Sequence, residues 1–293
     1  AKSGCAAARL QGIHFGMTVP QAQSFYGAPW LAALIGSEQT TGPTISQACA
    51  TSARVLASAA ASIELKSSNL SLAVAADRIS NGPHMYYPDP SGPGGLGASE
   101  NWVWDNFNRD PHAKVAMVQT AENVAAKFDI SRAEQDELTL HRYGQYQMAL
   151  ADDRAFQRGY MQDVDLKLRR GTMTVSGDEG IVEATRDGIE KLKPVVEGGS
   201  VTYATQTHPA DGNAGMLLAT REEASELSED SHVRIQMLAF GEGRAEKAHM
   251  GMAPVPAAQA ALAAAELTMD DISVVKTHNP FAVNDIYFSR QMN

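Results

Sequence analysis

The sequence predicts an α/β protein, and three observations lead to that class. Residues 44–64 combine a short extended run, a turn and a long helix pattern. Leu70 to Ala76 (LSLAVAA) is a nearly continuous apolar run, which is typical of a strand buried on both faces of a parallel sheet. A similar strand–helix–strand succession returns near residue 278. Such units imply parallel strands joined by right-handed crossovers.

The first strand–helix–strand pattern opens with a short extended run that ends at Thr44 and Ile45. Thr51 or Ser52 is expected to cap the following helix. Its apolar residues recur at helical spacing, and they are Val55, Leu56, Ala59, Ala60 and Ile63. This pattern sets Cys49 in a strand-to-helix turn.

Cys49 has two interpretations, which its position alone leaves about even. The positive end of a helix dipole favours a thiolate, and Ala48, Ala50 and Ala53 leave room for a substrate. Free cysteine is also often a small buried hydrophobe beside an Ala-rich helix.

Composition restricts the function classes. With 293 residues and 44% hydrophobic content, the chain can bury one large core or two ordinary ones. The formal charge of −10 and the absence of a long Lys/Arg run argue against duplex nucleic acid and anionic membrane as partners. Cys5 and Cys49 are the only cysteines, which excludes a disulfide framework and, with no signal peptide visible, favours the cytoplasm. The chain does not begin with Met, and removal of Met and a cut start both remain open.

The middle of the chain, residues 81–207, reads as an insertion. It opens with a Pro- and Gly-rich excursion from Asn81 to His112, whose length favours a lid or a subunit contact, with an irregular connection as the alternative. The predicted elements that follow are a helix from Thr120 to Phe128, a second helix opened by the capping box of Ser131 and Glu134 and reaching Leu150, a strand from Thr172 to Ser176 and a helix stopped by Pro194.

The sheet pattern then resumes. Strands are predicted at Ala214 to Ala219 and at Val233 to Phe240, with the helix REEASEL between them. Pro254 and Pro256 open an Ala-rich helix, and the strand ISVVKT leads to His278. Open α/β sheets usually place ligands at the carboxyl ends of their strands, so this position favours a functional His278.

The other histidines and a check for common catalytic motifs give little evidence of function. No metal-ligand spacing, CxxC, HExxH or glycine-rich phosphate loop is present, so metal and nucleotide-hydrolysis functions are not predicted. His84 and His208 lie in turn-rich stretches, where a structural role is favoured. Surface or packing roles are expected for His14, His112, His141, His232 and His249.

Several segments in one collinear order resemble the thiolase family. In this chain, QACATSARVLASAAASIE resembles the family's nucleophile segment. The segment VAADRISNGPH resembles the family's buried strand and the turn after it. Two further segments match the signature of the family's inserted loop domain, and they are TAENVAAKFDISRAEQDELTLHRY and DEGIVEATRDGIEKLKP. The segment GSVTYATQTHPADGNAGMLLA resembles the stretch by which the family's chain returns to the core. The family's second half is matched by HMGMAPVPAAQAAL and VVKTHNPFAVND. The likeness runs from Met17 to the last residue.

The resemblance implies a layered fold of two related α/β halves and an inserted loop domain. Residues 1–80 and 208–231 would form the N-terminal half, incomplete at its start. Residues 81–207 would form the loop domain, and 232–293 the C-terminal half, incomplete at its end. It also implies a homodimer or homotetramer, with a partner subunit as an alternative.

The same resemblance implies the chemistry. Cys49 would accept the acyl group of a 3-oxoacyl-CoA and pass it to a second CoA, or run the condensation in reverse, with ping-pong kinetics. CoA is then a substrate, and no cofactor or metal is implied. The amide of Cys49 and the side chain of His278 would serve two oxyanion holes in one shared site. Met117, Thr207 and Phe281 match positions that line the pantetheine and acyl pocket, although each also fits an ordinary core role.

Departures from the family pattern keep alternatives open. The family's first strand, its Gly-His-Pro segment with the basic histidine and its Cys-x-Gly segment with a second cysteine have no match here, and we expect a missing portion of chain to explain this. HNPFA resembles the His-containing variant of sterol-carrier-type thiolases. Ala116 replaces a family histidine, and a family arginine is lost around Val182. The alternatives are a ketoacyl synthase, which lacks a TAENVA-type loop domain, and a non-catalytic acyl-CoA-binding or scaffold subunit.

Overall fold

A computed structural model describes residues 4–230 and 232–293. The strands are β1 (Gly12–Gly16), β2 (Thr44–Ile45), β3 (Leu70–Asp77), β4 (His84–Tyr87), β5 (Ala98–Asn101), β6 (Val164–Lys167), β7 (Thr172–Val175) and β8 (Gly212–Ala219). The α-helices are α1 (Ala28–Leu34), α2 (Thr51–Glu64), α3 (Trp104–Asn108), α4 (Met117–Lys127), α5 (Arg132–Ala149), α6 (Ala151–Tyr160), α7 (Arg186–Glu190), α8 (Arg221–Leu227), α9 (Pro254–Ala265) and α10 (Ala282–Met292).

The chain divides into two compact units. The first runs up to Ala116 and adds His208–Glu242 and Ala258–Asp271. The second contains Met117–Thr207, Gly243–Ala257 and Ile272–Asn293. The division of the chain into two halves and a loop domain stays a prediction.

The first unit contains a four-stranded sheet in the order β2-β1-β3-β8. β1 pairs in parallel with β2 and β3, and β8 joins β3 in antiparallel register. The predicted βαβ unit is therefore confirmed, as are the strands at residues 70–76 and 214–219. β1 had no counterpart among the predicted elements, because a five-residue strand with a glycine at each end carries little periodic signal of its own.

Side chains from opposite faces of β3 pack against different helices. Leu72 belongs to a cluster with Ile13 and with Ala28 and Ala32 of α1. The neighbouring Ala73 packs with Val55 and Ala59 of α2. Apolar neighbours on both faces explain why β3 reads as a continuous apolar run.

The second unit is mainly helical. α5 begins with the predicted capping box, in which the side chains and backbones of Ser131 and Glu134 exchange hydrogen bonds. α4 and β7 also form where their patterns predicted them, and so does α9, of which residues 254–257 belong to this unit. Phe128 and Tyr287 pack with ring centroids 4.7 Å apart, which ties the end of α4 to α10.

Two predicted strands are wrong. Neither Val233 to Phe240 nor ISVVKT pairs as a strand within residues 4–230 and 232–293. Their apolar side chains face solvent, with Ile235 93% and Val274 73% exposed. A strand requires a neighbouring backbone to accept and donate its hydrogen bonds, and neither segment has one there.

Candidate active site

The turn that carries Cys49 is closed by a neighbouring hydroxyl. Thr51 Oγ1 accepts a hydrogen bond from the Gln47 amide at 2.8 Å and donates one to the Ala48 carbonyl at 2.7 Å. Ala48 lies in the left-handed region with φ 44°, a conformation that costs a non-glycine residue about 1–2 kcal/mol. The two bonds hold the turn in this shape and leave Cys49 exposed.

The cap prediction is wrong. Ala50 is the N-cap residue of α2 and makes no side-chain cap bond, and Thr51 is the first helical residue. The Thr51 hydroxyl binds backward into the turn because it lies within reach of Gln47 and Ala48.

The expected thiolate at Cys49 is not supported by the structure. Although the residue is exposed, neighbouring atoms partly desolvate its sulfur, which raises the pKa of Cys49 above its ordinary value, and a hydrogen bond from its own amide opposes only part of that shift. Cys49 lies before the N-cap residue, outside the first turn, where the helix dipole acts most strongly. It is therefore a neutral thiol at pH 7.

A polar group beside the turn was not predicted. The Gln47 side chain donates to Glu242 at 3.0 Å and accepts from Arg54 Nε at 2.8 Å. Arg54 also forms an ion pair with Glu242 and lies 4.8 Å from the ring centroid of Phe240. Hydrogen bonds from Arg54 and then Gln47 hold the pKa of Glu242 below its ordinary value, so this carboxylate stays charged.

His278 lies in the second unit, four residues before α10. Part of the residue faces solvent, and burial of the rest lowers the pKa of the imidazole below its ordinary value. Within the described residues, the ring makes no hydrogen bond. A neutral, uncommitted imidazole can donate to a ligand oxygen from one ring nitrogen.

The structure brings His278 near two of the predicted pocket residues. The Thr207 amide donates to the Pro280 carbonyl at 2.8 Å, and the Ala282 amide donates to Thr205 at 2.9 Å. Gln206 and Phe281 form the β-bridge between these bonds. Thr207 is exposed, whereas Phe281 is 7% exposed and helps to fill the core.

Met117 is the first residue of α4 and half-buried. It accepts through its backbone carbonyl from Thr120 Oγ1 at 2.6 Å. Its pocket role stays a prediction.

Asp285 is a second feature that sequence patterns missed. It is 6% exposed and accepts hydrogen bonds from Arg142, Thr277 and Asn279. An acidic residue in the first turn of α10 was visible in the sequence, but its partners come from two parts of the chain, the segment before α10 and the distant helix α5.

Comparison with known proteins identifies the family. The family model described as "Thiolase, N-terminal domain" matches residues 1–222. The chain belongs to the thiolase family. This membership favours the thiolase interpretation over a ketoacyl synthase.

Thiolase relatives match along most of this chain. A beta-ketothiolase of Cupriavidus necator is 30% identical over 86% of this chain and 64% of its own length. The human mitochondrial 3-ketoacyl-CoA thiolase is 26% identical over 92% and 69%. The chain thus spans less than two thirds of the length of the first of these thiolases.

Solved thiolase structures share the fold. The Bacillus anthracis acetyl-CoA acetyltransferase superposes with a TM-score of 0.88 at 22% identity, covering 99% of this chain and 73% of that one. The predicted α/β class and thiolase fold are confirmed.

The described part of the chain comprises residues 4–230 and 232–293. No helix there combines the length and apolar character that a membrane crossing requires. The same residues contain no group of three or more His, Cys, Asp or Glu side chains arranged to hold a metal ion.

Proposed function

We propose that this chain carries out thiolase acyl transfer between acyl-CoA and CoA, with Cys49 as the nucleophile. The observation that carries the proposal is an exposed cysteine, held in a strand–turn–helix connection, in a chain of the thiolase family. Support for the substrate class comes from the relatives, which are named as ketothiolases and acetyltransferases of acetyl-CoA. A solved human thiolase contains CoA.

The proposed reaction has two steps. Because Cys49 is a neutral thiol, a base must take its proton as the sulfur attacks the keto carbon of the 3-oxoacyl-CoA. The C2–C3 bond then breaks, and its electron pair leaves on acetyl-CoA as an enolate that takes up a proton. The thiol of a second CoA attacks the acyl-cysteine thioester and releases Cys49.

His278 would donate a hydrogen bond to the enolate oxygen during the carbon–carbon step. A neutral imidazole with no hydrogen bond inside the described chain fits this role, since it remains available to the ligand. Preorganised donors of this kind typically contribute roughly 100- to 1,000-fold in rate. Thr207 and Phe281 would border the acyl chain, with Met117 as a further pocket residue.

A test locates the acyl group on the full-length protein. Incubation with acetyl-CoA followed by digestion and mass spectrometry should place the acetyl mass on Cys49, and the same treatment should protect Cys49 from iodoacetamide. The matched control is Cys5→Ser, which should be acetylated like the parent. Acetyl mass on Cys5, or alkylation of Cys49 unchanged by acetyl-CoA, would reject Cys49 as the nucleophile.

The second candidate is a non-catalytic acyl-CoA-binding or scaffold subunit. The raised pKa of Cys49 favours it, because a neutral thiol without a base is a weak nucleophile. Binding of acetyl-CoA without acylation of Cys49 would identify this function. Assembly into a homodimer or homotetramer, contact with a partner subunit and residence in the cytoplasm stay predictions, and light scattering on the purified protein measures the first.

A further inference from the structure

Asp285 lies at the fourth residue of α10, with its carboxylate almost wholly buried. Arg142 of α5 donates to Oδ2 from Nε at 3.1 Å and from Nη2 at 2.6 Å. The guanidinium therefore balances the buried charge, which would otherwise be costly.

The remaining contacts of Asp285 reach the segment before the helix. Thr277 Oγ1 donates to Oδ1, and Asn279 Nδ2 donates to Oδ2 at 3.3 Å. These two residues are the immediate neighbours of His278. The carboxylate is thus hydrogen-bonded to both sequence neighbours of the histidine, and within the described chain it makes no hydrogen bond to the ring itself.

This segment has few other restraints. The predicted strand through residues 272–277 does not form, so no sheet ladder holds the chain as it reaches His278. After His278, the bond from the Thr207 amide to the Pro280 carbonyl fixes the backbone. Before His278, the described hydrogen bond that holds the segment is the one from Thr277 to Asp285.

We propose that Asp285 is a positioning residue that orients His278 by binding Thr277 and Asn279, with Arg142 holding the carboxylate in place. Its consequence for catalysis rests on the proposed function. A donor that must meet a developing oxyanion has to be placed to within a fraction of an ångström, and a misplacement of 1 Å can cost roughly 100-fold in rate.

A purely structural role makes a different prediction. If the ion pair only ties α5 to α10, removal of Thr277 Oγ1 and Asn279 Nδ2 leaves that tie intact and changes nothing at His278. If Asp285 positions His278, the same removal loosens the segment although the ion pair remains.

The decisive variant is therefore the double substitution Thr277→Val with Asn279→Ala, compared with Asp285→Asn. The matched control is Glu137→Gln, which removes the partner of Arg186 in an exposed ion pair between α5 and α7. Exchange of the imidazole C2 hydrogen, followed by mass spectrometry across pH, reports the pKa and accessibility of His278 without any need for activity.

We expect the double variant to exchange faster at His278 and to raise its pKa toward the ordinary value, because the ring becomes better hydrated. With acetoacetyl-CoA as the probe, kcat should fall about 10- to 100-fold in the double variant and in Asp285→Asn, with KM within about threefold and the rate of Cys49 acylation by acetyl-CoA within about twofold. Glu137→Gln should match the parent in every measurement.

Unchanged exchange, pKa and kcat in a folded double variant would overturn the proposal, whatever Asp285→Asn does to stability. The exchange readout also separates it from the proposed function. If His278→Ala left the carbon–carbon step unaffected, the catalytic role of His278 would fail, while altered exchange at His278 in the double variant would still support positioning by Asp285.

Discussion

The hydroxyl of Thr51 donates a hydrogen bond to the carbonyl of Ala48 at 2.7 Å across the turn that carries Cys49. The same oxygen accepts from the Gln47 amide, so one side chain closes both sides of the turn. Ala48 retains a left-handed conformation that the isolated chain would rarely adopt.

Substitution Thr51→Val keeps the shape of this buried side chain and removes both bonds. We expect a loss of about 1–3 kcal/mol in the free energy of unfolding, because the Gln47 amide and the Ala48 carbonyl lose their partner. Acylation of Cys49 by acetyl-CoA should slow about tenfold as the turn loosens. Urea unfolding and acyl-mass kinetics measure the two effects. The neighbouring exposed Ser52→Ala is the control, and equal behaviour of the two variants would contradict a special role for Thr51.

The raised pKa of Cys49 predicts its alkylation profile. Below the ordinary value of 9.0, the iodoacetamide rate should rise about tenfold per pH unit, and it should keep rising above that value because the shift is upward. Peptide mass spectrometry after timed alkylation measures it, with Cys5 in the same sample as the internal reference. A rate for Cys49 that is already at its plateau at pH 7 would show a thiolate and restore the helix-dipole interpretation.

His278→Ala should separate two activities. Cleavage of acetoacetyl-CoA should fall roughly 100- to 1,000-fold, because the enolate oxygen loses its donor. Acylation of Cys49 by acetyl-CoA breaks no carbon–carbon bond and should change little. Rapid-quench measurement of both steps is the check, with His232→Ala, on the exposed side of the first unit, as the control. Parental rates for both steps in His278→Ala would remove it from the mechanism.

His14 predicts acid sensitivity of the first unit. Its ring is 6% exposed and lies 2.9 Å from Ser58 Oγ and 3.3 Å from Ser62 Oγ, and burial lowers its pKa below the ordinary 6.5. The unfolded chain therefore binds a proton first as pH falls. The contribution of His14 to the free energy of unfolding is constant above pH 6.5. It decreases below that pH by at most about 1.4 kcal/mol per pH unit and levels off below the pKa of His14 in the folded protein.

Urea unfolding of the parent and of His14→Gln between pH 5 and 8 tests this expectation. The substitution should flatten the pH dependence in the acidic range. Exposed His112→Gln should leave it as in the parent. An equally steep decline in His14→Gln would assign the acid sensitivity to other groups.

The group formed by Gln47, Arg54 and Glu242 predicts a local effect. Arg54→Met removes the ion pair with Glu242 and the contact with Phe240. We expect faster amide hydrogen exchange at residues 238–242, where no strand ladder protects the backbone. Arg9→Met removes a comparable partly exposed pair with Glu223 and serves as the control. Unchanged exchange at 238–242 in Arg54→Met would mean that the ion pair does not hold this segment.

The sequence by itself determined the elements whose signals are local. The spacing of Val55 and Ala59 specifies α2, the Ser131–Glu134 capping box starts α5, and the apolar run from Leu70 specifies β3. The position of Cys49 between a strand and a helix follows from the same patterns. Each signal lies within a few residues, where backbone and side chains meet whatever the rest of the chain does.

Only the tertiary structure decided the features that depend on distant partners. β1 exists because β2 and β3 pair with it, whereas Val233 to Phe240 has the apolar pattern of a strand and no partner in the described chain. The pKa of Cys49 depends on how much packing surrounds its sulfur, and the contacts around His278 depend on Arg142 meeting Asp285 across 143 positions. Hydrogen-bond pairing and desolvation are set by which atoms meet in space, and a linear pattern does not contain that information.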